Sequence, residues 1–238
     1  MSTYKKILFT GGSGRFGSTF KKVNKSKKYK YPSSKKLNIL KINSIKKYIK
    51  KNKPDLVIHC AGLSRPMSVH EKNISKSIDV NIIGTSNLVK ICSINNIKIV
   101  YFSTCSVYPG TKGNYKENDA LFPVNNYAWS KLGGESSVMM YKNSLILRIS
   151  MTEKPFTHKF AYKNLITNFI FHDDFAKFLP KLFKYRGIIN VGGPTQSAYN
   201  FAKKYNKKIK SSLMNKNNKK YKLDYSMNLK KLNKIIND

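Results

Sequence analysis

The stretch that decides the fold of this chain is Lys6-Ile7-Leu8-Phe9-Thr10-Gly11-Gly12-Ser13-Gly14-Arg15-Phe16-Gly17. Its first five residues are mostly apolar and predict a buried β-strand, and apolar residues at helical spacing from Phe16 to Val23 predict a helix. Three glycines, Gly11, Gly14 and Gly17, lie in the turn between them. Glycine lets the backbone turn sharply and approach a pyrophosphate, whose charge is favoured by the N–H groups at the helix start. The stretch therefore predicts a dinucleotide-binding turn, although its GxxGxxG spacing differs from the GxGxxG of single-nucleotide-domain dehydrogenases.

Apolar runs and amphipathic stretches alternate after this turn. Strands are predicted at Leu56–His59, Ile97–Phe102 and Ser144–Ile149, with helices between them at Asn73–Ile94 and Asn126–Tyr141. Strands that alternate with helices predict an α/β fold, a doubly wound parallel sheet of the Rossmann type. Shorter elements are predicted later in the chain, namely strands at Thr167–Phe171 and Ile188–Val191 and helices at Asp173–Phe183, Ser197–Lys204 and Asn228–Ile236.

The chain of 238 residues is long enough for one α/β domain and a small additional lobe. We expect an NAD(P)-binding Rossmann domain built from residues 1–150 and 168–192. Residues 151–167 and 193–238 are expected to form a small C-terminal lobe that binds substrate.

The chain carries a formal net charge of +35, with 46 lysines and arginines against 11 aspartates and glutamates. Such a charge can indicate a nucleic-acid partner. The arginines, however, are Arg15, Arg65, Arg148 and Arg186 alone, and the lysines are spread from end to end. Phosphate-reading surfaces favour the arginine fork, so nucleic acid is not expected as a partner. The charge would instead help to attract an anionic cofactor or a sugar nucleotide.

Three cysteines, Cys60, Cys92 and Cys105, show no metal-ligand spacing, so neither a disulfide framework nor a metal site is predicted. No apolar stretch is long enough to span a membrane, and the N-terminus enters a strand without a signal-peptide pattern. We therefore expect a cytoplasmic protein without a membrane partner.

A phenol and an ammonium lie four residues apart in Tyr127-Ala128-Trp129-Ser130-Lys131, on one face of a predicted helix. A nearby ammonium favours the phenolate and lowers the pKa of a tyrosine from about 10, so the phenol can act as a general acid or base. Upstream, the strand that ends at Phe102 is followed by Ser103-Thr104-Cys105-Ser106-Val107-Tyr108-Pro109-Gly110. These hydroxyls lie at the carboxyl edge of a parallel strand, where ligands of open α/β sheets bind.

With these motifs the chain resembles the extended short-chain dehydrogenases/reductases, in particular the dTDP-4-dehydrorhamnose reductase-like branch. That branch carries a GxxGxxG loop, a Ser-Thr-x-x-Val-aromatic-Pro-Gly segment, Tyr-x-x-x-Lys and then Gly-Glu, here Gly134-Glu135. The order and approximate spacing of all four motifs match those of this branch, and the resemblance covers roughly residues 5 to 205. The resemblance implies an oxidoreductase that uses NAD(P)H to reduce a keto group on a nucleotide-linked deoxysugar.

The resemblance also assigns roles to three residues. Thr104 would hydrogen-bond the substrate carbonyl, Tyr127 would donate the proton to its oxygen, and Lys131 would bind the nicotinamide ribose and depress the pKa of Tyr127. Two donors would thus polarise the carbonyl that receives the hydride. Contacts with the nucleotide-sugar substrate are expected from Ser64, Arg65, Thr104, Ser106, Tyr127, Lys154 and His158.

The cofactor is expected to be NADP or NAD, with NADPH favoured. An acidic residue after the second strand would select NAD through the ribose hydroxyls, but Ser33, Ser34 and Lys35 stand there and Arg15 is near. The residues expected to bind the cofactor, from the glycine turn and from the resemblance, are Gly11, Ser13, Gly14, Arg15, Phe16, Gly17, Ser33, Lys35, Asn38, Ile39, Cys60, Ala61, Gly62, Asn81, Ser103 and Lys131.

The segment after Thr104 bears on the choice of reaction. Sugar-nucleotide dehydratases of this superfamily have Asp-Glu there, whereas Cys105 and Ser106 follow here, so dehydration is not expected. GDP-fucose synthases use a cysteine as an epimerising base, but Cys105 is one residue out of register, which favours plain keto reduction. An epimerase of the same superfamily and a non-catalytic dinucleotide-binding regulatory subunit stay open as alternatives, and so does a homodimer.

Overall fold

The computed structural model describes residues 4–156, 158–216, 219–220 and 223–237. Its strands are β1 (Ile7–Thr10), β2 (Tyr29–Lys30), β3 (Leu56–His59), β4 (Lys98–Thr104), β5 (Ser144–Ile149), β6 (Met151–Thr152), β7 (Phe160–Tyr162), β8 (Leu165–Thr167), β9 (Ile170–Phe171), β10 (Gly187–Val191), β11 (Gln196–Ser197), β12 (Lys210–Ser212), β13 (Asn215–Lys216), β14 (Lys219–Lys220) and β15 (Leu223–Asp224). Its α-helices are α1 (Arg15–Val23), α2 (Ile42–Asn52), α3 (Ser68–Lys72), α4 (Ile74–Ser77), α5 (Gly84–Ile94), α6 (Asn126–Met139), α7 (His172–Leu182), α8 (Ala198–Tyr205) and α9 (Lys230–Asn237).

Six parallel strands form the central sheet in the order β10-β5-β4-β3-β1-β2. The chain passes from β1 to β2 on one side and then crosses back, so that β3 pairs with β1 on the other side. The strand order therefore reverses between β1 and β3, and ligands of open α/β sheets bind at the carboxyl ends of the strands around such a reversal. The predicted doubly wound parallel sheet is confirmed.

Both faces of the sheet are covered by helices. On one face, α1 and α7 pack together, and the ring centre of Phe16 lies 5.0 Å from that of Phe175 and 5.2 Å from that of Phe102. On the other face, α2 and α5 contribute buried residues such as Ile45 and Leu88. Strands that are buried on both faces consist of near-continuous apolar residues, which is why the sequence predicted them.

The long helix predicted at Asn73–Ile94 is present, but its turns are not uniform. A wider, π-helical segment at Ile78–Ile83 joins α4 to α5. The side chain of Asn73 caps the start, accepting a hydrogen bond from the Lys76 N–H at 2.9 Å. Apolar periodicity cannot reveal a single π-helical segment, because it changes the spacing of only a few residues.

The single strand predicted at Thr167–Phe171 is wrong. The structure has two short strands there, of which β8 pairs with β11 and β15, whereas β9 pairs with β6. Asn168 separates them because its backbone carbonyl accepts a hydrogen bond from the Gly193 N–H and its side chain donates to the Gly193 carbonyl. These bonds replace strand pairing at that point.

The last part of the chain divides between two cores. Phe156 and Phe201 lie in a small apolar cluster with residues of β7, β9 and α8. In contrast, α9 contacts β10 and α7, and its Leu232 and Ile235 join the core of the central sheet. The last helix thus packs with the Rossmann part and not with the expected lobe, and the division of the chain into two units stays a prediction. No helix within the described ranges is long and apolar enough to cross a bilayer.

Candidate active site

A cavity of about 710 Å³ opens at the carboxyl ends of β1, β3, β4 and β5. Its walls are the turn after β1, the segment after β3, the end of β4 and the start of α6. The volume falls in the range of about 300–1,000 Å³ that is common for cofactor and small-molecule sites. The structure brings these sequence-predicted site residues together on its walls: Gly11, Ser13, Gly14, Arg15, Phe16, Cys60, Ala61, Gly62, Ser64, Arg65, Ser103, Thr104, Ser106, Tyr127 and Lys131.

The glycine turn depends on two close backbone approaches. Gly11 has a φ of +76°, and a Cβ there would lie 2.6 Å from the backbone nitrogen of Ala61, which follows β3. A Cβ at Gly17 would collide with the Gly11 carbonyl oxygen. Gly11 and Gly17 therefore allow α1 to start close to the sheet edge, with Ser13 to Phe16 facing the cavity and Gly17 behind its wall.

Tyr127 lies in the first turn of α6, two residues after Asn125, which caps this helix. The Asn125 side chain accepts a hydrogen bond from the Ala128 N–H at 2.9 Å, which fixes the helix start. Burial raises the pKa of Tyr127 to about 12, and a hydrogen bond from Thr104 together with the charge of Arg65 offsets part of the rise. The phenol therefore keeps its proton at neutral pH.

Lys131 lies one turn further along α6, with its Nζ atom 4.2 Å from the centre of the Tyr101 ring. The residue is only 7% exposed, and burial lowers its pKa to about 8. The pKa of Tyr127 is raised overall, because burial of the phenol outweighs the hydrogen bond from Thr104 and the charge of Arg65. A lowering of that pKa by Lys131 stays a prediction.

Asn81 lies behind the cavity wall and holds part of that wall in place. Its Oδ1 accepts a hydrogen bond from the Leu63 N–H at 2.8 Å, and its amide donates to the Leu63 carbonyl and to the Ser130 hydroxyl, each at 2.9 Å. Asn81 thus ties Leu63, which lines the cavity, to α6. Its expected contact with the cofactor stays a prediction.

His59 is fully buried at the end of β3. Its Nδ1 lies 2.8 Å from the Thr10 hydroxyl and its Nε2 lies 3.0 Å from the Thr85 hydroxyl. Burial and, to a smaller extent, the charge of Lys131 lower the pKa of His59 to about 3, so the ring is neutral. A neutral imidazole therefore links β1, β3 and α5 beneath the cavity.

Four residues expected at the adenosine end of the cofactor lie outside the cavity walls. Ser33 and Lys35 are exposed, and the Asn38 side chain accepts a hydrogen bond from the Leu40 N–H at 2.9 Å. Ile39 is half-buried beside the start of α5. Their contacts with a cofactor stay predictions.

Arg15 forms an ion pair that the sequence did not predict. Its Nε lies 2.8 Å from Oε1 of Glu153, and both residues line the cavity. Because the two side chains are 46% and 24% exposed, the pair is weak and an anionic ligand can replace Glu153 as the partner of Arg15.

Two residues expected to contact the substrate, Lys154 and His158, do not line the cavity. The Lys154 Nζ atom lies 5.8 Å from the centre of the Phe171 ring, and the His158 ring packs at 5.2 Å on that of Phe156. The chain leaves the cavity after Glu153, because β7, which follows, pairs with β12 and not with the central sheet. Contacts of Lys154 and His158 with a substrate stay predictions.

Cys105 is buried among hydroxyl groups at the end of β4. Burial raises the pKa of its thiol, and hydrogen bonds with Ser150, Ser106, Thr104 and Thr167 offset part of the rise. A thiol with a raised pKa is a poor base at neutral pH, which supports its interpretation as a packed residue and not as an epimerising base.

The model of the family described as "RmlD substrate binding domain" matches residues 5–161. The chain belongs to this family. It is 29% identical over 202 residues to a dTDP-4-dehydrorhamnose reductase of Aggregatibacter actinomycetemcomitans, covering 81% of this chain and 63% of that protein. It is also 28% identical over 156 residues to methionine adenosyltransferase 2 subunit beta of Danio rerio, covering 61% of this chain and 47% of that protein. The RmlD-family chain thus spans about half the length of the first curated relatives that it matches.

Solved structures resemble the RmlD-family chain over most of its length. The dTDP-4-dehydrorhamnose reductase of Bacillus anthracis, solved with NADP, superposes with a TM-score of 0.82 at 22% identity, covering 94% of this chain and 89% of that one. A hypothetical dTDP-4-dehydrorhamnose reductase from Sulfolobus tokodaii has a TM-score of 0.82 at 25% identity, covering 97% and 94%. These superpositions agree with the doubly wound sheet described above.

A buried ion pair supports the site of this RmlD-family chain from below. Arg148 on β5 donates two hydrogen bonds to Oε1 of Glu135 on α6, at 2.6 and 3.1 Å, and a third at 2.9 Å to the Tyr108 hydroxyl. Glu135 and Arg148 are almost completely buried. Arg148 is thus a structural ion-pair partner of Glu135. The pair fixes α6, which carries Tyr127 and Lys131, against the sheet.

Sequence reasoning missed several residues of the cavity in this RmlD-family chain. The rule that ligands bind at the carboxyl ends of strands was applied to β1, β3 and β4 but not to β5, where Ile149 and Ser150 also line the cavity. His172, which starts α7, lines it too. The other missed lining residues are Leu63, Met67, Phe102, Cys105, Asn125, Met151, Glu153 and Phe169. In the parts of the chain that the structure describes, no cluster of His, Cys, Asp and Glu side chains is arranged to hold a metal ion.

Proposed function

We propose that this protein uses NADPH or NADH to reduce a keto group on a nucleotide-linked deoxysugar. The observation that carries the proposal is that Thr104, Tyr127 and Lys131 line one cavity together with the glycine turn. The similarity to the dTDP-4-dehydrorhamnose reductase of Aggregatibacter actinomycetemcomitans supports the same class of reaction.

The residues of the cavity fit a dinucleotide. Residues Ser13 to Phe16 and the first turn of α1 provide backbone N–H groups for a pyrophosphate, at a helix end that favours negative charge. Lys131 would bind the ribose next to the nicotinamide. When bound, the reduced nicotinamide would supply the hydride, and NADPH is favoured because Arg15 is available for a 2′-phosphate. Equal turnover with NADH and NADPH would contradict that preference.

The proton would come from Tyr127. A phenol with a pKa of about 12 is protonated at neutral pH and is therefore a donor to the oxygen of a carbonyl that accepts a hydride. Thr104 would donate a second hydrogen bond to the same oxygen. Two donors that are held in place before the reaction stabilise the negative charge that develops on that oxygen.

The substrate would lie on the side of the cavity lined by Ser64, Arg65 and Ser106. Arg65 is suited to an anionic group, such as a diphosphate, because its planar guanidinium can donate two parallel hydrogen bonds. We place the protein in the cytoplasm, a proposal that is supported by its three cysteines, all of which are free thiols.

We also propose that the protein forms a homodimer through the outer surfaces of α4, the π-helical segment and α6. Ile74 is 53% exposed, Ile78 is 40% exposed and Trp129 is 49% exposed, and they lie on elements that pack side by side. Exposed apolar side chains on neighbouring helices are typical of interaction surfaces. A monomer in light scattering at micromolar concentrations would contradict this proposal.

The decisive experiment measures NADPH consumption with a panel of nucleotide-linked 4-keto-6-deoxysugars. Wild-type protein is expected to turn over at least one of them, and Tyr127→Phe is expected to lose that activity. Tyr141→Phe is a matched control, since the Tyr141 hydroxyl contacts the Cys92 carbonyl away from the cavity. An epimerase would instead invert the configuration at a carbon of the sugar without net NADPH consumption.

A second candidate function is that of a dinucleotide-binding subunit of another enzyme. The 28% identity to methionine adenosyltransferase 2 subunit beta favours it. In that case the protein would bind NADP but would turn over no member of the panel, and Tyr127→Phe would have no activity to lose. Binding of NADP without turnover is therefore the result that would replace the reductase proposal by this one.

A further inference from the structure

The short helix α3 packs directly beside Tyr127. His70 on α3 is 0% exposed, and its ring centre lies 5.1 Å from that of Tyr127, with the two planes inclined at 62°. An edge-to-face pair of this kind favours one relative orientation of the two rings. His70 does not itself line the cavity, and none of the roles proposed above uses it.

His70 is held in place through both its side chain and its backbone. Its Nδ1 lies 2.8 Å from the Ser77 hydroxyl. The amide of Asn126 donates to the His70 carbonyl at 3.3 Å and to the Glu71 carboxylate at 2.7 Å. Because Asn126 directly precedes Tyr127, α3 contacts both the side chain of the residue before Tyr127 and the Tyr127 ring itself.

Packing alone does not explain a histidine at this position. Among the described residues, Nε2 of His70 forms no hydrogen bond of good geometry. Burial lowers the pKa of His70, and the charge of Glu71 and a backbone hydrogen bond with Ser64 offset part of the fall. A phenylalanine of similar shape would avoid this poorly satisfied buried nitrogen. What a phenylalanine would lack is the bond from Nδ1 to Ser77, which fixes the rotation of the ring about its bond to Cβ. The histidine therefore provides an oriented ring surface for Tyr127.

We propose that His70 is a positioning residue for Tyr127. Oriented by Ser77, its ring holds the phenol at the angle at which the hydroxyl meets Thr104 and the carbonyl to be reduced. The effect on turnover rests on the proposed function, whereas the fixed orientation of the Tyr127 ring is a property of the protein alone.

The proposal is tested with three variants and one control. His70→Leu removes the ring, while His70→Phe and Ser77→Ala keep a ring but remove the bond that orients it. Ser86→Ala is the control, because the Ser86 hydroxyl donates to the Ile82 carbonyl in the adjoining π-helical segment and contacts neither His70 nor Tyr127 in the described part of the chain. Two readouts are used on the folded proteins: kcat and KM with the sugar nucleotide, and the ¹⁹F resonance of 3-fluorotyrosine incorporated at position 127.

A misplaced donor lowers the rate without weakening ground-state binding. His70→Leu is expected to lower kcat by about 10- to 100-fold with KM changed less than about threefold, because misplacement by about 1 Å can cost that much. His70→Phe and Ser77→Ala are expected to give smaller losses, and Ser86→Ala none. The ¹⁹F resonance should move towards that of free fluorotyrosine in the same order.

The outcomes separate this inference from the proposed function. If folded His70→Leu keeps both the wild-type kcat and the wild-type ¹⁹F resonance, His70 does not position Tyr127. If His70→Leu does not fold, Ser77→Ala decides by the same two readouts. If the wild-type protein turns over nothing, the reductase proposal fails, and the ¹⁹F resonance alone still decides whether His70 orients the ring.

Discussion

Replacing Lys131 by methionine should make the protein more stable at neutral pH. Methionine keeps an unbranched apolar side chain in a site that is 7% exposed, and it removes the buried ammonium. The fall of the Lys131 pKa from 10.5 to about 8 means that the charged form costs the folded state about 3 kcal/mol at pH 7. The contact with the Tyr101 ring, which the variant loses, is worth about 1–2 kcal/mol in the opposite direction. The free energy of unfolding at pH 7 should therefore rise by about 1–2 kcal/mol.

The stability that Lys131→Met gains over wild type should also depend on pH, and the pKa of Lys131 fixes the direction of that dependence. Because the pKa of Lys131 is lower in the folded protein than in the unfolded chain, the unfolded chain binds more protons between about pH 8 and 10.5. The wild-type protein therefore recovers stability across this window, whereas the variant has no such group. The advantage of Lys131→Met should shrink by about 2 kcal/mol between pH 7 and pH 9.5.

Urea denaturation followed by circular dichroism measures both effects. Wild type, Lys131→Met and the exposed control Lys142→Met are compared at pH 7 and pH 9.5. The control should change the free energy of unfolding by less than about 0.5 kcal/mol. The reasoning is refuted if Lys131→Met is less stable than wild type at pH 7, or if its difference from wild type is the same at both pH values.

Two further predictions concern buried groups outside the cavity. Glu135→Ala leaves the Arg148 guanidinium buried without a carboxylate, so it should lower the free energy of unfolding, measured by urea denaturation, by about 3–5 kcal/mol. The control is Asp174→Ala, which breaks the exposed pair with Lys177 and should change the free energy of unfolding far less. His59 has a folded pKa of about 3, below its usual 6.5, so wild type should lose stability as the pH falls below about 6.5. His59→Gln cannot titrate and should lose less between pH 7 and 4.5; an equal loss in both proteins would show that His59 is not the group responsible.

The sheet and the core of the site could be predicted because their signals are local. The glycine turn follows directly from an apolar strand, and the hydroxyls after Phe102 stand at the end of another. Parallel strands bring their carboxyl ends to one edge, so residues far apart in the chain meet there without further information. Thr104, Tyr127 and Lys131 do line one cavity for that reason.

Features that depend on packing between distant segments could not be predicted. The pKa of Tyr127 depends mainly on burial of the phenol. The four-residue spacing between Tyr127 and Lys131 carries no information about that burial. The ion pair of Arg15 with Glu153 joins two segments that no motif connects. Lys154 precedes β7, which pairs with β12 outside the central sheet, where the sequence pattern is weak and the strands are short.

The π-helical segment at Ile78–Ile83 brings three polar side chains, spaced four residues apart, onto one line. Ser77, Asn81 and Thr85 bond in turn to α3, to the loop after β3 and to β3 itself. In an α-helix each step of four residues advances about 40° around the axis, so such a series would wind away from the sheet. The wider turns of the π-helical segment offset that rotation, so all three side chains face the elements to which they bond. Removing one residue from this segment would change the spacing between Ser77, Asn81 and Thr85, so their bonds to α3, to the loop after β3 and to β3 could no longer form together.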